Sequence, residues 1–238
     1  MRVEIWSDVV CPWCYIGKRK FEAALASFDG RDDVEVIWRP FQLDPGAPRG
    51  GTQPVIEAYA RKFGGPERAA RIIEHVSSVA ADAGLEFRMD RALRANTLDA
   101  HRLLWLAQHE GSPERQDALK ERLLRAYFMD GSDVADRATL VALAAEVGLD
   151  RDRVTAFLAG DEGVAETRAE IARAGELEIH SVPTFVFDGR WQVPGAQEPE
   201  VFSRIFERVL HLEQEAALEA AGAASTPTGT CDADTCAV

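Results

Sequence analysis

Cys11-Pro12-Trp13-Cys14 stands between a short extended run, residues 3–7, and an apolar-periodic segment, residues 15–28, so the two cysteines fall where a strand hands over to a helix. At a helix N-terminus the unpaired backbone N–H groups and aligned peptide dipoles favour negative charge, which makes Cys11 the cysteine whose thiolate is stabilised. Two intervening residues put the pair on neighbouring positions of one helical face, within the roughly 5.5–6 Å Cα separation that a disulfide requires. Cys11 is therefore read as the attacking thiol and Cys14 as the resolving one. Pro12 supplies a φ suited to the first helical turn, and Trp13 sets a broad apolar surface beside the sulfur; both are candidate substrate contacts. The same C-x-x-C spacing also serves zinc. A zinc site needs a second ligand pair, and the remaining cysteines, Cys231 and Cys236, are spaced C-x-x-x-x-C in the far tail. Dithiol chemistry is the better reading, with no metal and no tightly bound cofactor expected.

The composition narrows the partners. A chain of 238 residues that is 46% hydrophobic has ample core-forming sequence, so four cysteines are not its main source of stability. With 40 acidic against 27 basic residues, the net charge of -13 disfavours attraction to phosphate backbones and anionic lipid, and neither nucleic acid nor membrane is expected as a partner. The first strand is interrupted by Glu4, Ser7 and Asp8, unlike the apolar core of a secretory signal, and no run approaches the ~18 apolar residues of a membrane span. A cytoplasmic protein is the expectation, in a compartment where disulfides are transient and catalytic.

Along the chain, residues 34–41 read as a second buried strand ended by Pro40, and the Pro- and Gly-rich stretch 44–53 as a boundary loop. Helical period then dominates residues 54–175, with helices expected at 66–83, 97–110, from Ser112-Pro113, from Asp136, from Asp150 and over 161–175. Strands return at 182–187 and 190–193 around an Asp188-Gly189 turn, and a last helix covers 199–220. The expected organisation is a first half-domain over 1–50, a helical insertion over 51–175, a second half-domain over 176–220, and a flexible tail over 221–238 carrying Cys231 and Cys236 as a possible second redox pair.

Val182-Pro183 is the second chemical position. A proline opening a strand beside residues 3–7 faces the Cys11 sulfur, and a cis bond there would hold the Val182 amide and carbonyl outward for an extended peptide substrate. From spacing alone a trans bond is favoured, because only about 5% of X–Pro bonds are cis. His180 is read as a solvated loop histidine near the cleft, and His101 as a core or capping residue.

Together, C-P-W-C at a helix start, W-R-P-F-Q-L-D-P over 38–45, a long helical stretch, and S-V-P-T-F-V-F over 181–187 with its turn and final helix resemble the DsbA-like thioredoxin-fold oxidoreductases, FrnE-type cytosolic branch. The resemblance implies an α/β thioredoxin-like fold with a large all-helical insertion between a βαβ half and a ββα half. It also implies Cys11 as nucleophile, Cys14 as resolving thiol, and a cis bond before Pro183 against the dithiol. The insertion also resembles kappa-class glutathione transferases and 2-hydroxychromene-2-carboxylate isomerases, notably at Asn96-Thr97-Leu98, which would place glutathione near Asn96 and Gly195-Ala196-Gln197.

The expected function is a thiol–disulfide oxidoreductase acting on disulfide-containing or unfolded protein substrates, with glutathione or another thiol reductant as co-substrate. Two alternatives remain: a glutathione-dependent isomerase or transferase of a small aromatic molecule, and a module whose Trp13-rimmed cleft holds unfolded chains without turnover.

Overall fold

A parallel strand pair starts the chain. β1 (Arg2–Ser7) and β2 (Glu35–Pro40) lie side by side, Val3 opposite Val36 and Ile5 opposite Trp38, joined through the crossover helix α1 (Pro12–Ala26) that parallel pairing requires. This computed structural model describes residues 1–50 and 53–224, so Cys231 and Cys236, and with them the expected second redox pair, lie outside the described residues. The other edge of β1 takes β3 (Thr184–Phe187) antiparallel, and β4 (Trp191–Pro194) pairs with β3, giving the order β2-β1-β3-β4. Between β3 and β4 the Asp188-Gly189 turn forms as expected: both residues take positive φ, 48° and 67°, and the Arg190 amide closes it on the Phe187 carbonyl. The third strand is shorter than its apolar run, so Val182 and Pro183 precede it rather than belong to it.

Side-chain alternation divides the sheet into two covered faces. Val3, Ile5, Phe185 and Phe187 pack with Phe21 of α1 and with Phe202 and Phe206 of the last helix, α9 (Pro199–Ala224). That helix runs four residues into the stretch expected to be tail, where alanine, the best helix former, dominates. On the opposite face Trp6 and Val186 meet Ala174 and Ile179. Glu4 is buried there too, 2.6 Å from Arg39, whose guanidinium also reaches Glu170 at 2.7 Å. Each charge keeps a counterion, which is the condition for burying it.

Between β2 and β3 come α2 (Val55–Phe63), α3 (Pro66–Asp82), α4 (Leu98–His109), α5 (Pro113–Arg125), α6 (Arg137–Glu146), α7 (Arg151–Ala159) and α8 (Val164–Glu176). Three expected caps form: Ser112 accepts from the Arg115 amide, Asp136 from Thr139 and Asp150 from Arg153. The last of these helices starts three residues later than expected, because Gly163 takes a left-handed φ of 73°. Leu103, Leu106, Leu119, Leu123, Leu140 and Val154 form a separate, fully buried core.

This helical layer is attached to the sheet through the outer edge of β2. The Gln116 side-chain amide on α5 accepts from the Trp38 amide at 2.9 Å and donates to the Trp38 carbonyl at 3.0 Å. A single side chain thus supplies the partner that another strand would have supplied, and the exposed edge is closed.

At Gly17 the crossover helix packs directly against Pro183, just before the third strand. A Cβ there would stand 2.9 Å from Pro183 Cγ and 3.4 Å from Ala196 Cβ, and neither neighbour is a flexible side chain. Gly17→Val is expected to lower stability by about 2 kcal/mol or more, measured as a lower urea midpoint at unchanged m-value. An unaltered midpoint would show that α1 and the Pro183 segment separate without cost.

Candidate functional site

Cys11 is the N-cap residue of α1, with φ -91° and ψ 113°, and Pro12 takes the first helical position. This is the arrangement the sequence predicts for a strand-to-helix junction. Cys11 and Cys14 are free thiols and both are buried. Only Cys11 reaches the surface of a cavity of about 620 Å³, which is also lined by Pro12, Trp13, Tyr59, Tyr127 and the 180–182 segment. Access therefore belongs to Cys11. Trp13, 39% exposed, leans on the His75 ring and separates this cavity from a second one of about 310 Å³.

Across from Cys11 lies Val182, and the Val182–Pro183 peptide bond is cis. The trans bond favoured by spacing alone is thus corrected, and the cis bond implied by the resemblance is present. The Cys11 sulfur lies 3.6 Å from the Val182 carbonyl oxygen, and the Val182 amide has no hydrogen-bond partner among the described residues. Pro183 itself is buried against Gly17 behind the cavity wall. The Gly195 amide donates to the Pro183 carbonyl at 2.8 Å, and Ala196 packs beside Gly17, so Gly195-Ala196-Gln197 supports the proline from behind and does not line the cavity.

Charge is arranged differently from access. Burial alone would raise the Cys14 thiol, but the S–H of Cys11, the Lys120 ammonium, the Ser7 hydroxyl and the Asp8 backbone amide outweigh it and lower the Cys14 pKa. The hydrogen bond to Cys14, burial and the Cys14 charge together push Cys11 well above the ordinary thiol range. The reduced pair holds one proton readily shed and one tightly kept, with the first negative charge on the inner sulfur. The groups packed behind Cys14 favour a negative charge there, beside the helix N-terminus that favours one at Cys11.

Those groups form a closed polar chamber. Lys120 is fully buried on α5, its Nζ has no hydrogen-bond partner among the described residues, and burial depresses its pKa to about 8 although Cys14, Asp8 and Cys11 favour the charged form. Ser7 Oγ is likewise buried, with its hydroxyl toward the Cys14 sulfur. Asp8 Oδ2 accepts from the Leu43 amide at 2.8 Å, and Asp8 Oδ1 lies 3.2 Å from His101 Nε2. The same nitrogen lies 3.0 Å from the Phe41 carbonyl, so Nε2 carries the proton and donates to both. His101 is a core residue, as expected, and it fixes the end of β1 to α4.

His180 is exposed and lines the cavity, as its position beside Val182 suggested. Asn96 does not. Its side chain donates to the Pro45 and Ala47 carbonyls and accepts from the Leu98 amide, so it holds the boundary loop onto the start of α4. The Asn96 side chain, expected beside glutathione, is thus engaged by its own loop.

The sequence reading missed Gly17, Gln116, Lys120 and the Ser7-Asp8 pair. Lys120 left a signal: with Gln116, Leu119, Leu123 and Leu124 it falls on the buried stripe of its helix, where a lysine needs a reason.

The two sheet halves, with the dithiol at the first helix and the cis-proline beside it, define a thioredoxin-like fold. The chain belongs to the DSBA-like thioredoxin domain family, which matches residues 2–207. It is similar to the crystal structure of the probable DsbA oxidoreductase SCO1869 from Streptomyces coelicolor, at 40% identity and a TM-score of 0.77, over 100% of this chain and 96% of that one. The Bacillus subtilis protein YwbO is 28% identical over 86% of this chain and 94% of its own length. The cytosolic disulfide reductase DsbM from Pseudomonas aeruginosa, solved with GSH, shares the fold at 18% identity and a TM-score of 0.60, over 89% of this chain and 100% of that one. Among the described residues no helix is long and apolar enough to cross a membrane.

The Lys120 environment gives a pH-dependent stability. Its folded pKa of about 8 lies below the ordinary lysine value of 10.5, so below pH 8 the ammonium is present in both states and the cost of burying it is fully felt. Between pH 8 and about 10.4 the unfolded chain binds the proton and the folded chain does not, so this cost fades as pH rises. Lys120→Met is expected to be more stable than the wild type at pH 7 by on the order of 3 kcal/mol, the gap closing toward pH 10. Urea melts of both proteins across this range measure it; a gap independent of pH would refute the assignment.

Proposed function

We propose that the protein is a thiol–disulfide oxidoreductase that exchanges disulfides of protein or peptide substrates through Cys11 and Cys14. The observation that carries this is the division between the two sulfurs. Cys11 opens on the cavity beside the cis Val182–Pro183 bond, and Cys14 is sealed behind it among groups that favour a thiolate. The Cys11 sulfur attacks one sulfur of a substrate disulfide as its proton is taken up by the Cys14 thiolate; a Cys11–substrate disulfide forms, and the other substrate sulfur leaves as a thiolate that takes this proton by way of solvent, restoring the Cys14 thiolate. The Cys14 thiolate then attacks the Cys11 sulfur, forming the Cys11–Cys14 disulfide and releasing the second substrate thiolate. The substrate disulfide is reduced by two electrons and the protein pair is oxidised by two.

A thiol reductant restores the dithiol and leaves as its own disulfide. Glutathione is the candidate co-substrate by likeness to DsbM, which was solved with GSH. With an oxidant in place of the reductant the same steps run backward and introduce disulfides. We place this activity in the cytoplasm, where a transient disulfide is the usual form. Against the glutathione-dependent isomerase, Asn96 is occupied by its own loop and both cysteines are present.

Insulin-disulfide reduction is expected to fall to the uncatalysed rate in Cys11→Ser, and Cys14→Ala to accumulate a covalent adduct at Cys11, seen by intact mass after acid quench of a cell extract. Isomerase turnover with glutathione that survives Cys11→Ser would replace the dithiol reading. Suppression of aggregation surviving both substitutions, with no trapped adduct, would make the cleft a binding module.

A further inference from the structure

We propose that the cleft takes an extended acidic peptide segment beside the reacting disulfide; this deepens the dithiol reading and rests on it. The starting point is a local reversal of charge. The chain carries 40 acidic and 27 basic residues. Yet the walls of the two cavities that meet at Trp13 carry Arg61, Lys62 and Arg94 in the larger and Arg68 and Arg71 in the smaller, against a single carboxylate, Asp44. Asp44 is already neutralised by Arg94 at 2.7 Å. The other four cations have no ion-pair partner among the described residues. Elsewhere some arginines are paired, Arg122 with Asp130 and Glu146 and Arg153 with Glu110 and Glu162, and others such as Arg115 and Arg190 are not, so what sets the cleft apart is five cations against one carboxylate.

The shape specifies an extended ligand. Ile72, Val76 and Trp13 line both cavities, so one apolar floor continues from beside Cys11 past the indole, with cations along its α2 and α3 rims. Volumes of about 620 and 310 Å³ in sequence hold several residues of an outstretched chain. The unpartnered Val182 amide next to Cys11 offers such a chain a main-chain hydrogen bond. A segment anchored there by its cysteine lays apolar side chains on the floor and carboxylates against Arg61 and Lys62, then Arg68 and Arg71.

The protein's net charge of -13 works against this at long range, since an acidic peptide is repelled by the molecule as a whole. A preference for acidic substrates is therefore a signature of the cleft and not of the general field. At physiological salt the four cations act within about 8 Å, which confines their effect to a docked segment.

The test uses disulfide-linked peptides identical except for glutamate, glutamine or lysine on either side of the cysteine, with dithiodiglycolate as a small dicarboxylate disulfide. Exchange rates with the reduced full chain are compared at about 0.01 M and about 1 M salt, where the screening length falls from about 30 to 3 Å. The glutamate peptide is expected to react roughly tenfold or more faster than the lysine peptide at low salt, with the ratio collapsing at high salt. Arg61→Glu/Lys62→Glu/Arg71→Glu is expected to invert the ratio. Equal rates for the glutamate and lysine peptides, or a ratio unmoved in the triple variant, overturn the proposal. A carboxylate preference confined to dithiodiglycolate overturns the extended segment and leaves a small-molecule site. The glutamine peptide separates the two readings: if it exchanges while charge makes no difference, only this inference fails, and if no disulfide exchanges, the dithiol reading fails with it.

Discussion

The contact between Gln116 and the outer edge of β2 sets the position of almost everything around the dithiol. An edge strand presents unpaired N–H and C=O groups, and each left buried without a partner costs about 1–3 kcal/mol. The Gln116 amide answers both groups of Trp38 at once, which fixes α5 in register and in rotation. The neighbouring residues of that helix then fall into place. Asp117 receives the Trp38 indole N–H at 2.8 Å and the Lys18 ammonium at 3.1 Å, and Glu121 receives the Tyr15 hydroxyl at 2.7 Å. Lys120, one turn beyond Gln116, is carried beneath the cysteines and over the Trp38 ring at 5.2 Å. One helical face thus closes the sheet, grips the cysteine-bearing helix and supplies the charge behind it.

That arrangement separates two requirements that a single cysteine meets poorly. A thiol open to a large substrate is wetted and unprotected, and a thiol held as thiolate by buried partners is unreachable. Here the outer sulfur has the access and the inner one has the partners, so the inner charge is available when a mixed disulfide must be opened from within. The buried lysine is maintained at a cost to stability because its surroundings are too dry for an ammonium and too acidic for a comfortable neutral amine.

Most of the architecture was legible because it depends on local patterns. The strand-to-helix junction at Cys11, the caps at Ser112, Asp136 and Asp150, and the Asp188-Gly189 turn each follow from side chains acting on backbone within three or four residues. What was hidden depends on partners far apart in sequence. The isomer at Pro183 is set where β3 meets β1 and Gly17, none of which its own neighbourhood encodes. Asn96 looked like a ligand contact because its role lies with carbonyls about fifty residues earlier. The groups that favour charge at Cys14, Lys120 and Ser7, come together where β1 meets α5, a coincidence that periodicity does not record.

The order of the strands also governs when the site comes into being. Cys11 and Val182 are 171 positions apart, with seven α-helices between β2 and β3 among the described residues. A chain emerging from the ribosome holds its first strand with one edge open, and its two thiols without their opposing wall, until nearly all of the helical layer has been made. Contacts so distant in sequence close late, after local helices have formed. The redox face thus waits on the last part of the chain, and a product truncated before β3 would keep the C-x-x-C sequence while lacking the Val182 wall.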